Sequence, residues 1–266
     1  MEAIPLKRIS LICAVALSSA LLWATAKPWL ESPMRFANYT VIIWPSIALI
    51  LASAITAIAW MLLERPMERV SAIVASWASF ILFWSPDLWY ISMLPLFAGL
   101  WYLASQRIRS DMSDRHSLRV STSLGAGLTP LMLGTFLMIS LGFYLLPSNH
   151  TVGVKEVSVG VQGYLKDAYT SPVLAAQLNQ LPASMRAQVK SDIAKNVEMY
   201  IQKYLGPLGS FLPPLLAFGL FLVLWSVLFI YREGAIWCGV GIFAMLKAVG
   251  FLKVATRNVQ AEVIEL

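Results

Sequence analysis

The sequence is short of the residues from which disulfide scaffolds and metal centres are built. Of 266 residues, two are cysteine and two are histidine. Cys13 and Cys238 both sit inside apolar runs, where a free thiol behaves as a small hydrophobe. No C-x-x-C occurs, so neither a disulfide framework nor a redox motif is indicated. A zinc centre needs three or four nitrogen, sulfur or oxygen ligands brought together. His116 and His150 are expected on opposite sides of a membrane, so no resident metal and no other cofactor is expected. Charge is scarce too, at 13% of residues against roughly 25% in a soluble domain. That shortage excludes an ordinary soluble globular protein.

What is abundant is apolar. The chain is 58% hydrophobic, its mean hydropathy is +0.70, and its apolar runs repeatedly reach the length that spans a bilayer. The net charge of +6 would point to nucleic acid in a soluble protein. Here the lysines and arginines fall mainly between apolar runs, and no basic face is interleaved with stacking aromatics. The lipid bilayer and membrane topology account for them, and no nucleic acid is expected as a partner.

The runs predict six or seven transmembrane helices. Ile9 to Ala26 reads as a first span, with a cleaved signal peptide as the other reading because Ala24-Thr25-Ala26 matches A-x-A. Lys27 to Asn38 reads as a proline-broken loop. Tyr39–Leu63, Val70–Ser85, Leu88–Ser105 and Ser121–Leu146 follow as spans, with "ERPMER" (Glu64 to Arg69) a charged turn. Residues 148–207 are polar throughout and cannot span. Phe211–Tyr231 is a sixth span, "REG" (Arg232 to Gly234) a turn, and Ala235–Leu252 either a seventh span or a re-entrant segment. The expected organisation is therefore residues 1–147 as five transmembrane helices, 148–207 as a small, mainly helical extracytoplasmic insert, and 208–266 as a helical hairpin and tail. The fold class is an all-α polytopic integral membrane protein.

Orientation follows from the positive-inside rule, which short loops decide. With the N-terminus in the cytoplasm, Lys7, Arg8, Arg65, Arg69, Arg107, Arg109, Arg115, Arg119 and Arg232 fall inside. Only Lys27 and Arg35 lie in the short outer segments. Aromatics form two belts: Trp29, Trp44, Trp84, Trp89 and Tyr144 at one interface, and Trp60, Trp101, Tyr102, Tyr231 and Trp237 at the other. The expected location is the cell membrane, multi-pass, with residues 148–207 outside.

The charged stretch "QRIRSDMSDRHSLR", Gln106 to Arg119, has two readings. Arg107, Arg109, Arg115 and Arg119 serve as topology anchors in the first. In the second, Asp111, Asp114 and His116 form a Mg²⁺ and phosphate site, as in a transferase acting on a lipid-linked phosphate. A lone D-x-x-D is weak support, and a second acidic cluster on the same face is represented only by Glu64 and Glu68. Lys247, inside an apolar segment, reads as a snorkelling residue near a helix end. "STSLGAGLTPLMLG" (Ser121 to Gly134) reads as a small-residue packing face, with a helix broken at Pro130 as the alternative. Asn38 and Asn149 head N-x-[ST] sequons on the outer side.

The insert contains one clear pattern. Met185, Val189, Ile193, Val197, Tyr200 and Tyr204 recur at spacings of three and four and line one face of a helix over Ala183–Leu205. Lys190, Asp192, Lys195 and Glu198 lie off that face. Such a stripe needs a partner, so these six residues are the candidate interface. The leading functional expectation is a non-enzymatic membrane subunit of a cell-envelope assembly, bound to a membrane or envelope protein. The membrane transferase is the alternative, and a transporter is third.

Overall fold

The computed structural model describes residues 3–31, 39–84, 88–113, 119–146, 161, 165, 169, 182–205 and 211–252. Among these residues every regular element is a helix: α1 (Ala3–Leu30), α2 (Tyr39–Leu62), α3 (Pro66–Trp84), α4 (Leu88–Ser113), α5 (Val120–Leu145), α6 (Ala183–Leu205), α7 (Leu212–Ser226) and α8 (Leu228–Ala248). Among the described residues, five helices are long and apolar enough to cross a membrane: α1, α2, α3, α5 and α8. The described residues are those of an all-helical protein with several helices suited to a membrane. Helix α4 carries the charges of Gln106–Ser113 in its last turns, and α7 has 15 residues, about 22 Å at 1.5 Å per residue, against a hydrocarbon core of about 30 Å.

By packing, the chain forms two units, each assembled from separated stretches. The first comprises Met1–Ala24, Ser46–Gly134 and Leu228–Leu266, and the second Thr25–Pro45 and Thr135–Val227. In the first unit, small residues let helix backbones approach closely. Val15 of α1, Ala59 of α2, Leu63 just beyond it and Ala72 of α3 form a buried cluster, with Leu11, Ile12 and Ile55 against it. Helix contacts in lipid gain little from hydrophobicity and depend on close packing and hydrogen bonds. Both occur here: the Ser19 and Ser76 hydroxyls bond across α1 and α3, and Ser79 Oγ donates to the Ala16 carbonyl at 3.0 Å. Trp23 is buried, its ring edge-on to Phe80 at 4.8 Å.

Helix α5 meets α4 through Gly127, where a Cβ would lie 2.6 Å from the Ala104 carbonyl oxygen. Only glycine fits that contact. Helix α8 lies along α2: Tyr231 OH bonds Ser46 Oγ at 2.9 Å, Gly234 sits beside Ile50, and Gly239 beside Ala54 and Ile58. The partners advance together along both helices, so α8 runs parallel to α2. In the second unit, α6 begins after Pro182 and α7 opens with Pro213-Pro214, where missing N–H groups cost little.

Several local expectations are corrected. Arg232–Gly234 is helical, inside α8, and the helix break lies at Val227. Arginine and glutamate are good helix formers, and a single glycine does not force a turn. Helix α1 continues through Lys27 and Pro28 to Leu30. Helix α4 runs eight residues past the expected end at Ser105, to Ser113. Pro66 starts α3 rather than closing a turn. Tyr231 also leaves its expected belt, because Ser46 lies near the Tyr39 end of α2 and Trp60 near the other. Helix α5 is continuous through Pro130, so the broken-helix reading fails.

Candidate functional site

Two sites emerge: a charged end of the first unit, and the face of α6 in the second. The charged end is built where α2 stops and α3 starts. Glu68, in the first turn of α3, accepts from Arg8 NH1 at 2.8 Å and lies 4.0 Å from Arg65 Nε. Its second oxygen is 3.4 Å from the Arg65 backbone N–H, a reach-back that caps the helix start. Arg8 NH2 is 3.7 Å from Glu64. Next to it, Lys7 Nζ donates to the Phe251 carbonyl at 2.8 Å and sits 4.9 Å from that ring's centroid, tying the start of α1 to the residues after α8.

Arg69 is different. It is 5% exposed and lies on the α3 face that also buries Ala72, Ile73, Ser76 and Phe80. Its Nε and NH1 are enclosed and have no hydrogen-bond partner. The sequence reading placed this residue among the turn arginines. The signal that locates it is Pro66 at the first helical position, which puts 69, 72, 73, 76 and 80 on one face.

Of the expected anchors, Arg107 and Arg119 are exposed, and Arg109 NH1 reaches the Met61 carbonyl at 3.5 Å. Arg115, Asp114 and His116 lie outside the described residues, as do both sequon asparagines. Asp111 Oδ2 accepts from Ser123 Oγ at 2.8 Å, joining the extended end of α4 to α5. Among the described residues no three His, Cys, Asp or Glu side chains lie close enough to hold a metal ion. Lys247 is exposed in the last turn of α8.

A second cation, expected in a turn, is Arg232. It lies inside α8, with NH1 4.0 Å from Glu233, Nε enclosed without a partner, and NH2 3.2 Å from where a Gly125 Cβ would stand. Charged residues in an apolar span are costly and pack toward protein. The reading as a turn hid it.

On α6 the stripe is partly covered. Val189, Ile193 and Val197 are half-buried, and Met185 is exposed. Tyr200 and Tyr204 are 60% and 61% exposed. Their rings stack at 6.1 Å with 7° between planes. Off the stripe, Lys190 Nζ stands 5.3 Å from the Tyr169 ring centroid. No protein family, curated protein or solved structure matches this chain.

Proposed function

We propose that the chain is a non-enzymatic membrane subunit of a cell-envelope assembly, with α6 outside the membrane as its partner surface. The observation that supports this reading is the exposed end of the α6 stripe. Tyr200 and Tyr204 stack on each other beside exposed Met199. Stacked aromatics held ready on a helix are a rigid apolar surface of the type enriched at the cores of protein interfaces. Val189, Ile193 and Val197 are half-covered, and in this reading the more exposed tyrosines are left for a second protein. The partner in this reading is another integral membrane or envelope protein.

The test is replacement of Tyr200 and Tyr204 together by alanine, with affinity purification in mild detergent. The reading requires a stoichiometric envelope protein to co-purify with the wild type and to be lost from the double variant. Residues 148–207 should keep their resistance to protease. Lys195→Asp, off the stripe, should retain the partner. Unchanged co-purification in the tyrosine variant would sink this assignment.

A further inference from the structure

Arg69 sits at the wrong place twice over. Burying a guanidinium without an acid or carbonyl partner is strongly unfavourable, and Arg69 is 5% exposed with Nε and NH1 unpartnered. It also lies in the opening turns of α3, at the end where the helix macrodipole is positive and an anion, not a cation, is favoured. The acid next to it in sequence is already engaged: Glu68 is held by Arg8 at 2.8 Å and approached by Arg65. Lys7, Arg8, Arg65 and Arg69 outnumber Glu64 and Glu68 in these two chain segments. Among the described residues, the positive field here therefore exceeds what the neighbouring carboxylates neutralise.

The surroundings specify the kind of anion. Leu6 and Ile9 on α1, and Met67, Val70 and Val74 on α3, are exposed apolar side chains flanking these charges. A positive helix start above an exposed apolar surface matches a molecule with an anionic head and hydrocarbon chains. A guanidinium fork matches phosphate oxygens pairwise, and basic sites between membrane helices at headgroup depth take phospholipid heads.

We propose that Arg69 anchors a binding site for the phosphate of a membrane phospholipid at the N-terminal end of α3. Arg8 and Arg65 supply the surrounding field, and the exposed side chains of α1 and α3 receive the acyl chains. A bound phosphate relieves both penalties on Arg69 at once.

The full-length protein, purified in an uncharged detergent, is melted with increasing mole fractions of phosphatidylglycerol. The wild-type melting temperature should rise. Diacylglycerol, which offers the chains without the phosphate, should give no rise, and neither should inorganic phosphate, which offers the anion without the chains. Arg69→Lys keeps the charge and loses the fork, and should need about tenfold more lipid for the same rise. Arg69→Met should melt no lower than wild type in lipid-free detergent, because an uncompensated charge has been replaced by an apolar chain, and should lose the lipid response. Native mass spectrometry should find phospholipid retained on the wild type and absent from Arg69→Met.

A wild-type melting temperature indifferent to phosphatidylglycerol overturns the proposal, and that arm needs no variant. An equal rise in Arg69→Met and wild type overturns it as well. So does a rise reproduced by diacylglycerol or by inorganic phosphate. Arg69→Met melting far below wild type without lipid would mean that the guanidinium is already compensated within the chain, and the argument would fall there.

Discussion

Helices α5 and α8 look alike as strings of letters and differ in what covers them. Both are candidate spans, with mean hydropathy 1.7 and 1.3, yet 67% of the most apolar window of α5 is buried and 11% of that of α8. Apolarity selects a helix for the membrane and says nothing about which faces meet protein. That is decided by small residues. Helix α5 presents Ser123 to Asp111, Gly125 to Arg232 and Ile236, and Gly127 to Ala104 and Ile108. Two neighbouring helices thus approach it from different sides. Helix α8 offers one narrow seam, Gly234 and Gly239 against α2 and α5, and leaves Phe229, Ile230, Trp237 and Met245 exposed.

The difference predicts a graded set of costs, largest on α5. At Gly127 an added side chain meets the Ala104 backbone oxygen, which cannot move without moving α4. Gly127→Val should therefore destabilise the protein by about 3 kcal/mol or more, as overpacking against backbone does. Thermal melting in detergent measures it, and a melting temperature within error of wild type would show that α5 is not the closely packed helix described. On α8 the corresponding seam residue is Gly239, whose added Cβ would meet the Cδ1 tip of Leu124 at 2.7 Å. A side-chain tip can rotate away, so Gly239→Val should cost only about 1–2 kcal/mol. Gly241, two residues on, has nothing within 4 Å, and Gly241→Val is the matched control with no loss. If the Gly239 and Gly241 variants melt together, the seam between α8 and its neighbours is not there.

How much of this could be read from the sequence depended on whether a residue's role was set locally. Helix α6 was legible to its last residue because Pro182 and Gly206-Pro207 bracket an unbroken stripe. The small-residue packing face of α5 was legible in "STSLGAGLTPLMLG" for the same reason. Its neighbours were not, since which helix meets Gly125 or Gly127 depends on tertiary arrangement. Charge misled in three places. Gln106–Ser113, Glu64–Arg69 and Arg232–Gly234 all read as loops because they interrupt apolar runs, and each is partly or wholly helical. Arginine, glutamate and glutamine are strong helix formers, so polarity marks where a helix leaves lipid or turns toward protein, not where it stops. That single confusion hid both Arg69 and Arg232. The actual break at Val227 has no glycine, proline or cap residue to announce it. The sequence carries no local signal there.

Helix α5 has a polar tie as well as a steric one. Ser123 Oγ donates to Asp111 at 2.8 Å, and a hydrogen bond to a charged acceptor contributes more than a neutral one, with a net value of about 1.5–3 kcal/mol when fully buried. Asp111 is only half-buried and makes other interactions, so its carboxylate is not orphaned when the serine is removed. Ser123→Ala should therefore cost about 1 kcal/mol, below either glycine substitution that meets a neighbour. The same variant bears on the charged stretch Gln106–Arg119. If Asp111 serves to fasten α4 to α5, the loss should appear as a lower melting temperature and as faster hydrogen exchange in residues 106–113. A variant with unchanged melting and exchange would free Asp111 from that structural role.

The smallest effect is expected on the open face of α8. Trp237 is 76% exposed, and no described residue encloses the ring. In purified protein Trp237→Ala should change stability by no more than about 0.5 kcal/mol, the range for substitutions that touch no packed neighbour. The value becomes informative when it is measured twice, once on the isolated chain and once in whole membranes. A face that meets only lipid gives the same small number in both, since hydrocarbon tails solvate alanine and tryptophan without fixed contacts. A face that meets another protein gives a small number alone and a large one in the membrane, read as loss of accumulated protein or of resistance to detergent extraction. Ile230→Ala and Met245→Ala, also exposed on this helix, should follow Trp237 in either case. A destabilisation of the isolated chain by Trp237→Ala as large as that of Gly239→Val would mean that α8 is packed on more than its glycine seam, and the contrast with α5 would be lost.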